Sequence, residues 1–320
     1  MRRWWHLAAV IALGVIVLAG VGGLPVRAQD EAVERILAAY RAYEEWDTYT
    51  VQGEVNARDA LVADGTDDFL WQTRERHLTL SGWYDVTQTE QAMVLLAFSD
   101  DESSSTETSA GTTPGRWDVE LNVALVNGET FWRGELQAAS AAAISVPAEW
   151  TAFSLEDANA QSNLADLGLG RYLLQDERDP FVGDYEAWLD AARSIEGPET
   201  IRINRSTSGD LYLIEVELED APDVLADRFR ALTEGPDALV SRETLLDALF
   251  DDSTMLWGVV LHPETGRLLG QYIQLDLTAR LGRDAISGGY RSLTLETSDE
   301  QSVLFTGVNE PVDTTALPNP

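Results

Sequence analysis

The sequence predicts an α+β fold, an antiparallel sheet or open barrel with a few helices, on three observations. Residues 117–125 alternate apolar and polar with a period of two and run into Asn127-Gly128, a pair suited to a two-residue hairpin turn. Extended stretches of the same kind recur on both sides of a helix-rich middle. Strands and helices do not alternate as a parallel sheet requires, and no repeat of fixed period is present.

The chain opens with Arg2-Arg3, an unbroken apolar or glycine run from Leu7 to Val21, and then Gly22, Gly23 and Pro25. Val26-Arg27-Ala28 follows, with small or modest residues at the first and third positions before Gln29. This pattern reads as a signal peptide, residues 1–28, cut after Ala28. The alternative is an uncleaved anchor, because Leu7 to Val26 is nearly long enough to span a bilayer. The expected location is extracytoplasmic: secreted or periplasmic, or membrane-tethered if the signal stays.

Val33, Ile36, Leu37 and Tyr40 mark one face of a first helix, with Asp30 and Glu31 near its positive end. Tyr49, Val51 and Val55 alternate around Gly53, a strand with a bulge or a close approach. A long extended segment runs from Phe69 and Trp71 to Leu78, Leu80 and Tyr84. Ala92 to Phe98 is apolar on both faces, as in a covered central strand. Asp100 to Thr113, acidic and rich in Ser and Thr, reads as a solvated loop. In the next strand Trp117, Val119, Leu121, Val123 and Leu125 face one way and Arg116, Asp118, Glu120 and Asn122 the other. Asn127-Gly128 turns the chain into Phe131 and Trp132.

In the middle, Ser154 and Asp157 suggest a helix start, and Asp184 caps a helix burying Tyr185, Trp188, Leu189 and Ala192. Strands at Ile201 to Asn204 and Leu211 to Leu218 are joined by a Ser208-Gly209-Asp210 turn. Helices at Pro222 to Leu232 and at Arg242 to Phe250, the latter capped by Ser241, form a helical insertion at about 220–252. Strand patterns then return at Met255 to Leu261, at Leu269, Ile273, Leu275 and Leu277, at Arg291 to Leu295, and at Val303 with Phe305. Residues 309–320 form a polar tail. Neither half is followed by a linker, so residues 29–308 are expected to be one domain.

Composition narrows the chemistry. Twenty-two basic and 55 acidic residues give a net charge of -33, and every basic residue is Arg. Without lysine there is no phosphate-loop lysine and no Schiff base. Phosphate neutralisation drives nucleic-acid affinity, so this balance argues against a nucleic-acid partner. With no cysteine there is no thiolate nucleophile, disulfide, iron–sulfur cluster or cysteine-ligated zinc.

Three stretches resemble a known family. Leu125-Val126-Asn127-Gly128-Glu129-Thr130-Phe131-Trp132 is similar to its hairpin with an aromatic return strand. Leu256-Trp257 to Gly266-Arg267-Leu268-Leu269 resembles its long hairpin with a Thr-Gly turn, and Asn309-Glu310-Pro311-Val312-Asp313 before Pro318 its closing segment. The family is the bacterial lipoprotein-carrier, or LolA-like, superfamily, which also contains LppX and LprG. The resemblance of organisation spans about residues 30–318. It implies a strongly curved antiparallel sheet, an open half-barrel, with helices covering its concave side around an apolar cavity. This chain lacks the lipidation cysteine of the mycobacterial branch and carries the extra 220–252 segment.

The expected function is therefore that of an exported carrier of an apolar ligand such as lipid acyl chains, without cofactor or covalent chemistry. Trp71, Trp117, Val119, Leu121, Val123, Trp257 and Ile273 are the expected wall of its cavity. A scaffold with a filled core, serving an envelope or membrane protein partner, is the second reading, and an extracytoplasmic hydrolase the third. For a hydrolase, His77 and His262 are the histidines beyond the signal, and neither Ser81 nor Ser99 has the Gly-x-Ser-x-Gly context of a nucleophile elbow. Acid pairs such as Asp67-Asp68, Asp100-Asp101 and Asp251-Asp252 are expected by chance among 55 acids. The signal reading has a direct check. N-terminal sequencing of native material should begin at Gln29, and a form beginning at Met1 in the membrane fraction would favour the anchor.

Overall fold

The computed structural model describes residues 26–65, 69–85, 87, 91–106, 115–127, 129–139, 146–152, 185–218, 239–250, 253–287, 289–315 and 317. Helix α1 (Val26–Tyr43) leads into five long strands, β1 (Thr48–Gly65), β2 (Phe69–Asp85), β3 (Gln91–Thr106), β4 (Gly115–Val126) and β5 (Glu129–Ala139), and a two-residue β6 (Thr151–Ala152). Short helix α2 (Tyr185–Asp190) precedes β7 (Ala192–Arg202) and β8 (Ser208–Val216). Helix α3 (Arg242–Phe250), β9 (Thr254–Leu261), β10 (Leu268–Gly282), a 3₁₀ turn at Arg283–Ala285 and β11 (Tyr290–Thr306) complete the order. Among the described residues all eleven strands join one antiparallel sheet, in the order β6-β5-β4-β3-β2-β1-β11-β10-β9-β8-β7. It consists of two meanders joined where β1 pairs with β11.

The expected half-barrel does not form. The sheet is open, its order ending at β6 and β7, and it neither closes nor curves strongly. Strong curvature is built with bulges along the strands. Here the pairings of β1 with β2, β2 with β3, β3 with β4 and β10 with β11 run without a register shift, and β1 with β11 shifts only at Asp64/Gly65. The helices do lie on one face. Ile36, Tyr40 and Tyr43 of α1, Trp188 of α2 and Leu249 of α3 share an apolar cluster with that face of the sheet. Their main contacts fall on the C-terminal meander: α1 on β7, β9 and β10, α2 on β8, and α3 on β10.

Local chemistry explains where elements stop. Ser241 Oγ accepts from the Thr244 N–H at 3.2 Å, the expected cap of α3. Asn127 has φ of 52°, as the turn between β4 and β5 needs. Elsewhere the strands outrun the sequence signals. Asp100 to Thr106, expected as loop, continues β3, in register with Arg76 to Leu70 of β2. The two strands expected near Leu293 and Val303 are one strand, β11. Its intervening polar residue Thr297 is satisfied by donating to Asp59 Oδ1 at 2.9 Å.

Ser208-Gly209-Asp210 lies inside β8 instead of forming a turn. The turn falls at 203–207, where Asn204 Oδ1 accepts from the Ser206 and Thr207 N–H groups, each at 2.9 Å. Ala192 leaves α2 to pair with Val216. Leu269 parts from Ile273 across a register shift and packs on the opposite face with Leu211 and Val260. The expected helices near 157 and 222–232 and most of the signal lie outside the described residues, although α1 already begins at Val26, before the expected cleavage point.

Gly53 shows how tightly the two meanders are joined. No bulge occurs there; a Cβ at Gly53 would stand 2.9 Å from the Ser302 backbone oxygen of β11 and 3.2 Å from Leu80 Cγ of β2. Gly53→Ala should therefore lower stability by about 1–3 kcal/mol, as overpacking against backbone does. Gly282→Ala, with nothing within 4 Å of its new methyl, should stay within about 0.5 kcal/mol of the parent. Urea unfolding of the two variants is the check.

Candidate functional site

One face of the sheet, the inner face, is the side that the helices cover. Because side chains alternate along a strand, an unbroken register assigns residues to this face. Leu121, Val123 and Leu125 of β4, Leu78 and Leu80 of β2, and Val51 and Leu61 of β1 are buried in the same cluster as Phe305, Leu275, Trp257 and Ile214. A polar band interrupts this layer. Asp59 and Arg76 share the inner face, their carboxylate and guanidinium 2.6 Å apart and each about a third exposed. At that exposure the pair contributes little, on the order of 0–1 kcal/mol.

An aromatic nest in this layer lies under α1. Tyr40 stacks on Tyr185 of α2 with ring centroids 4.7 Å apart and tilts against Trp257 of β9 at 5.6 Å. Trp188 of α2 meets the edge of Trp257 at 5.3 Å. The Tyr40 hydroxyl donates to Gln271 Oε1 of β10 at 2.8 Å. Gln271 is a polar residue at 2% exposure amid apolar neighbours, so its burial is tolerable only if its amide is satisfied. It is satisfied only in part. Gln271 Nε2 and Trp257 Nε1 are both buried without a hydrogen-bond partner. The Trp257 N–H lies beside the Tyr40 oxygen, where it favours the phenol's anion. Each open donor costs about 1–3 kcal/mol relative to a satisfied one.

Polar ties ring this nest. Arg35 Nη1 donates to the Tyr212 hydroxyl at 2.7 Å and its Nη2 faces Asp210 at 3.7 Å. The Tyr185 hydroxyl donates to Glu44 Oε1 at 2.8 Å, and Arg41 faces Glu186 at 3.5 Å. Burial pushes the Tyr40 phenol far above its ordinary value. Tyr185 is pushed up to about 12, by burial first and then by its hydrogen bond to Glu44 and the charges of Glu44 and Glu186.

The expected wall residues do not all meet. Trp257 sits in the nest at 0% exposure, and half-buried Ile273 is its partner across β9 and β10. Leu121 and Val123 are buried on β4, in the same cluster but six strands away in the sheet order. Trp117 and Val119 are in phase with Leu121 along β4, and Trp71 stands an odd number of residues from Leu78 and Leu80 on β2; the side chains of these three lie outside the described set. Sequence reading missed Tyr40, Tyr185 and Gln271 as a group. One signal was available: Gln271 is a lone polar residue in phase with Ile273, Leu275 and Leu277.

The candidate catalytic groups fall elsewhere. His77 is exposed on the outer face, its Nδ1 2.6 Å from Asn56 Oδ1 and 3.7 Å from Glu54 Oε1. Ser99 is its register partner on β3. The backbone N–H groups around this pair belong to interior strands, paired on both sides. His262 serves its turn, Nδ1 accepting from the Glu264 and Thr265 N–H groups at 3.3 Å. Among the described residues no group of three or more His, Asp and Glu is placed to hold a metal ion, and no helix is long and apolar enough to cross a membrane.

No protein-family model matches the chain, and no curated protein matches it. Among solved structures, one of lipovitellin, titled for its lipid–protein interactions, aligns over 84% of this chain at 10% identity with a TM-score of 0.31. This chain spans only 26% of the lipovitellin chain's length. A β-barrel-like protein of a domain of unknown function from Brucella abortus aligns over 77% of this chain and 95% of its own, at 8% identity and a TM-score of 0.16. Scores this low fall below what a shared fold gives, so neither protein defines a family for this chain.

The raised phenols give a pH prediction. A tyrosine whose folded pKa exceeds its unfolded value of 10.0 contributes stability that is complete below pH 10 and is lost as pH rises through the folded value, about 12 for Tyr185. Absorbance titration at 295 nm should find the Tyr185 phenol still protonated at pH 11, and Tyr185→Phe should remove one phenol from the step near pH 12.

Proposed function

We propose that the protein is an exported, non-catalytic binding protein that holds an apolar ligand, such as lipid acyl chains, against the inner face of its sheet. The fold is sheet-rich, and the observation that carries the reading is the extent of its apolar layer. A continuous cluster runs from β4 to β8, wider than the part of the sheet on which the described helices mainly sit. Transfer of an acyl chain from water to such a surface is favourable by about 0.8 kcal/mol per CH₂ before the costs of association. Half-buried Ile273, beside the Trp257 nest, is the described wall residue best placed to touch a ligand without first being unpacked.

The scaffold reading has its own support. Leu121 and Trp257 are both 0% exposed, as residues of a filled core are. Native mass spectrometry of protein isolated from its own host separates the two: a carrier should arrive with a bound apolar molecule, or take up a long-chain alkane offered to it. Ile273→Asn should reduce that uptake at least tenfold while the protein keeps its circular dichroism spectrum. A wild-type protein that carries nothing and takes up nothing would leave the scaffold reading in possession.

A further inference from the structure

We infer that the nest under α1 binds the uncharged carbonyl oxygen of an otherwise apolar ligand, an ester or ketone, through Gln271 Nε2 and Trp257 Nε1. This rests on the proposed carrier function and specifies its ligand. The two side chains are among the most buried polar-bearing groups of the protein, at 2% and 0% exposure, and both nitrogens lack a partner. They also converge. Gln271 accepts from the Tyr40 hydroxyl through Oε1, and the Trp257 N–H lies beside that same hydroxyl. Native interiors leave few such groups open, and those that stay open call for a ligand or another bound acceptor.

The chemistry of the walls selects the acceptor. Tyr40, Tyr185, Trp188 and Trp257 present aromatic surface, which suits an apolar body. The donors are neutral, and the charged groups close to Tyr185 are Glu44, Glu186 and Arg41, two acids and one base. A carboxylate or phosphate would be buried without a matching cation and against that balance, at a high cost. A carbonyl oxygen has two lone pairs, one for each donor, and carries no charge. A hydrocarbon would leave both donors open.

The test compares methyl decanoate with tridecane, which have the same number of heavy atoms. Equilibrium partition from a shared squalane phase into the whole protein, read by gas chromatography, should favour the ester by about tenfold or more in the wild type, because the site offers two hydrogen bonds that the hydrocarbon phase does not. In Gln271→Met, which keeps the side-chain length and removes the amide, that preference should fall to near parity, with tridecane binding within twofold of wild type. Trp257→Phe keeps an aromatic ring and leaves the Tyr40–Gln271 bond in place, and it should cut the preference severalfold; it also serves if Gln271→Met does not fold. Tridecane binding without an ester preference in the wild type, or a preference that survives in both folded variants, overturns the carbonyl site and leaves the carrier function standing. Binding of neither probe overturns both.

Discussion

The pairing of β1 with β11 holds the molecule together. It brings Asp59 and Thr297, 238 positions apart in the chain, into hydrogen-bonding contact, and it converts two separate meanders into one eleven-stranded sheet. Closing so long a loop carries an entropic cost that only the finished pairing offsets. The register runs without a shift from Thr50 to Asp64, and Gly53 lets the backbones approach where any side chain would meet the Ser302 oxygen. Contacts this distant in sequence are also the slow kind to form, so the splice governs folding as well as stability.

The inner face follows from that splice. Without it Val51, Leu61, Leu295 and Phe305 would be edge residues of two half-sheets; with it they join a continuous buried layer. Alternation then dictates what accompanies them. Asp59 and Arg76 share the layer because they are in phase with Leu61 and Leu78, and each is tolerated because the other is present. The segment after β11 is also tied to this junction: Asn309, at φ of 57°, donates its N–H to the Thr48 carbonyl and accepts from the Asp47 N–H through its side chain, both at 2.8 Å.

The helices add the second layer, and the frustration lies there. Tyr40 reaches across from α1 to Gln271 on β10, 231 positions away, and thereby satisfies its own hydroxyl and one end of the amide. The other end and the Trp257 N–H stay open. An aromatic nest with unmatched donors is poor core design taken alone, and it marks the place in the layer where packing and polar satisfaction disagree.

Individual strands were legible in the sequence because period-two alternation is a local property. Trp117 to Leu125, the Asn127 turn, the first helix face ending at Tyr40 and the Ser241 cap depend on neighbours within a few residues. Strand ends were less so. Asp100 to Thr106 has loop composition, and it is a strand because β2 runs beside it as far as Leu70, a partner that the segment itself does not reveal. The open half-barrel was wrong for a related reason: strong curvature needs bulges, whose place is set by strand pairing, and the long central pairings run almost without a register shift. Candidate wall residues were chosen by type and phase within single strands. That placed Trp257 and Ile273 together but could not bring Tyr40, Tyr185 and Gln271 to them, since three elements from distant parts of the chain must first pack. The sequence by itself thus determined the faces of each strand and helix, through side-chain geometry acting over one or two turns. The tertiary structure alone decided which faces meet, because that choice depends on long-range register and on the loops closed to reach it.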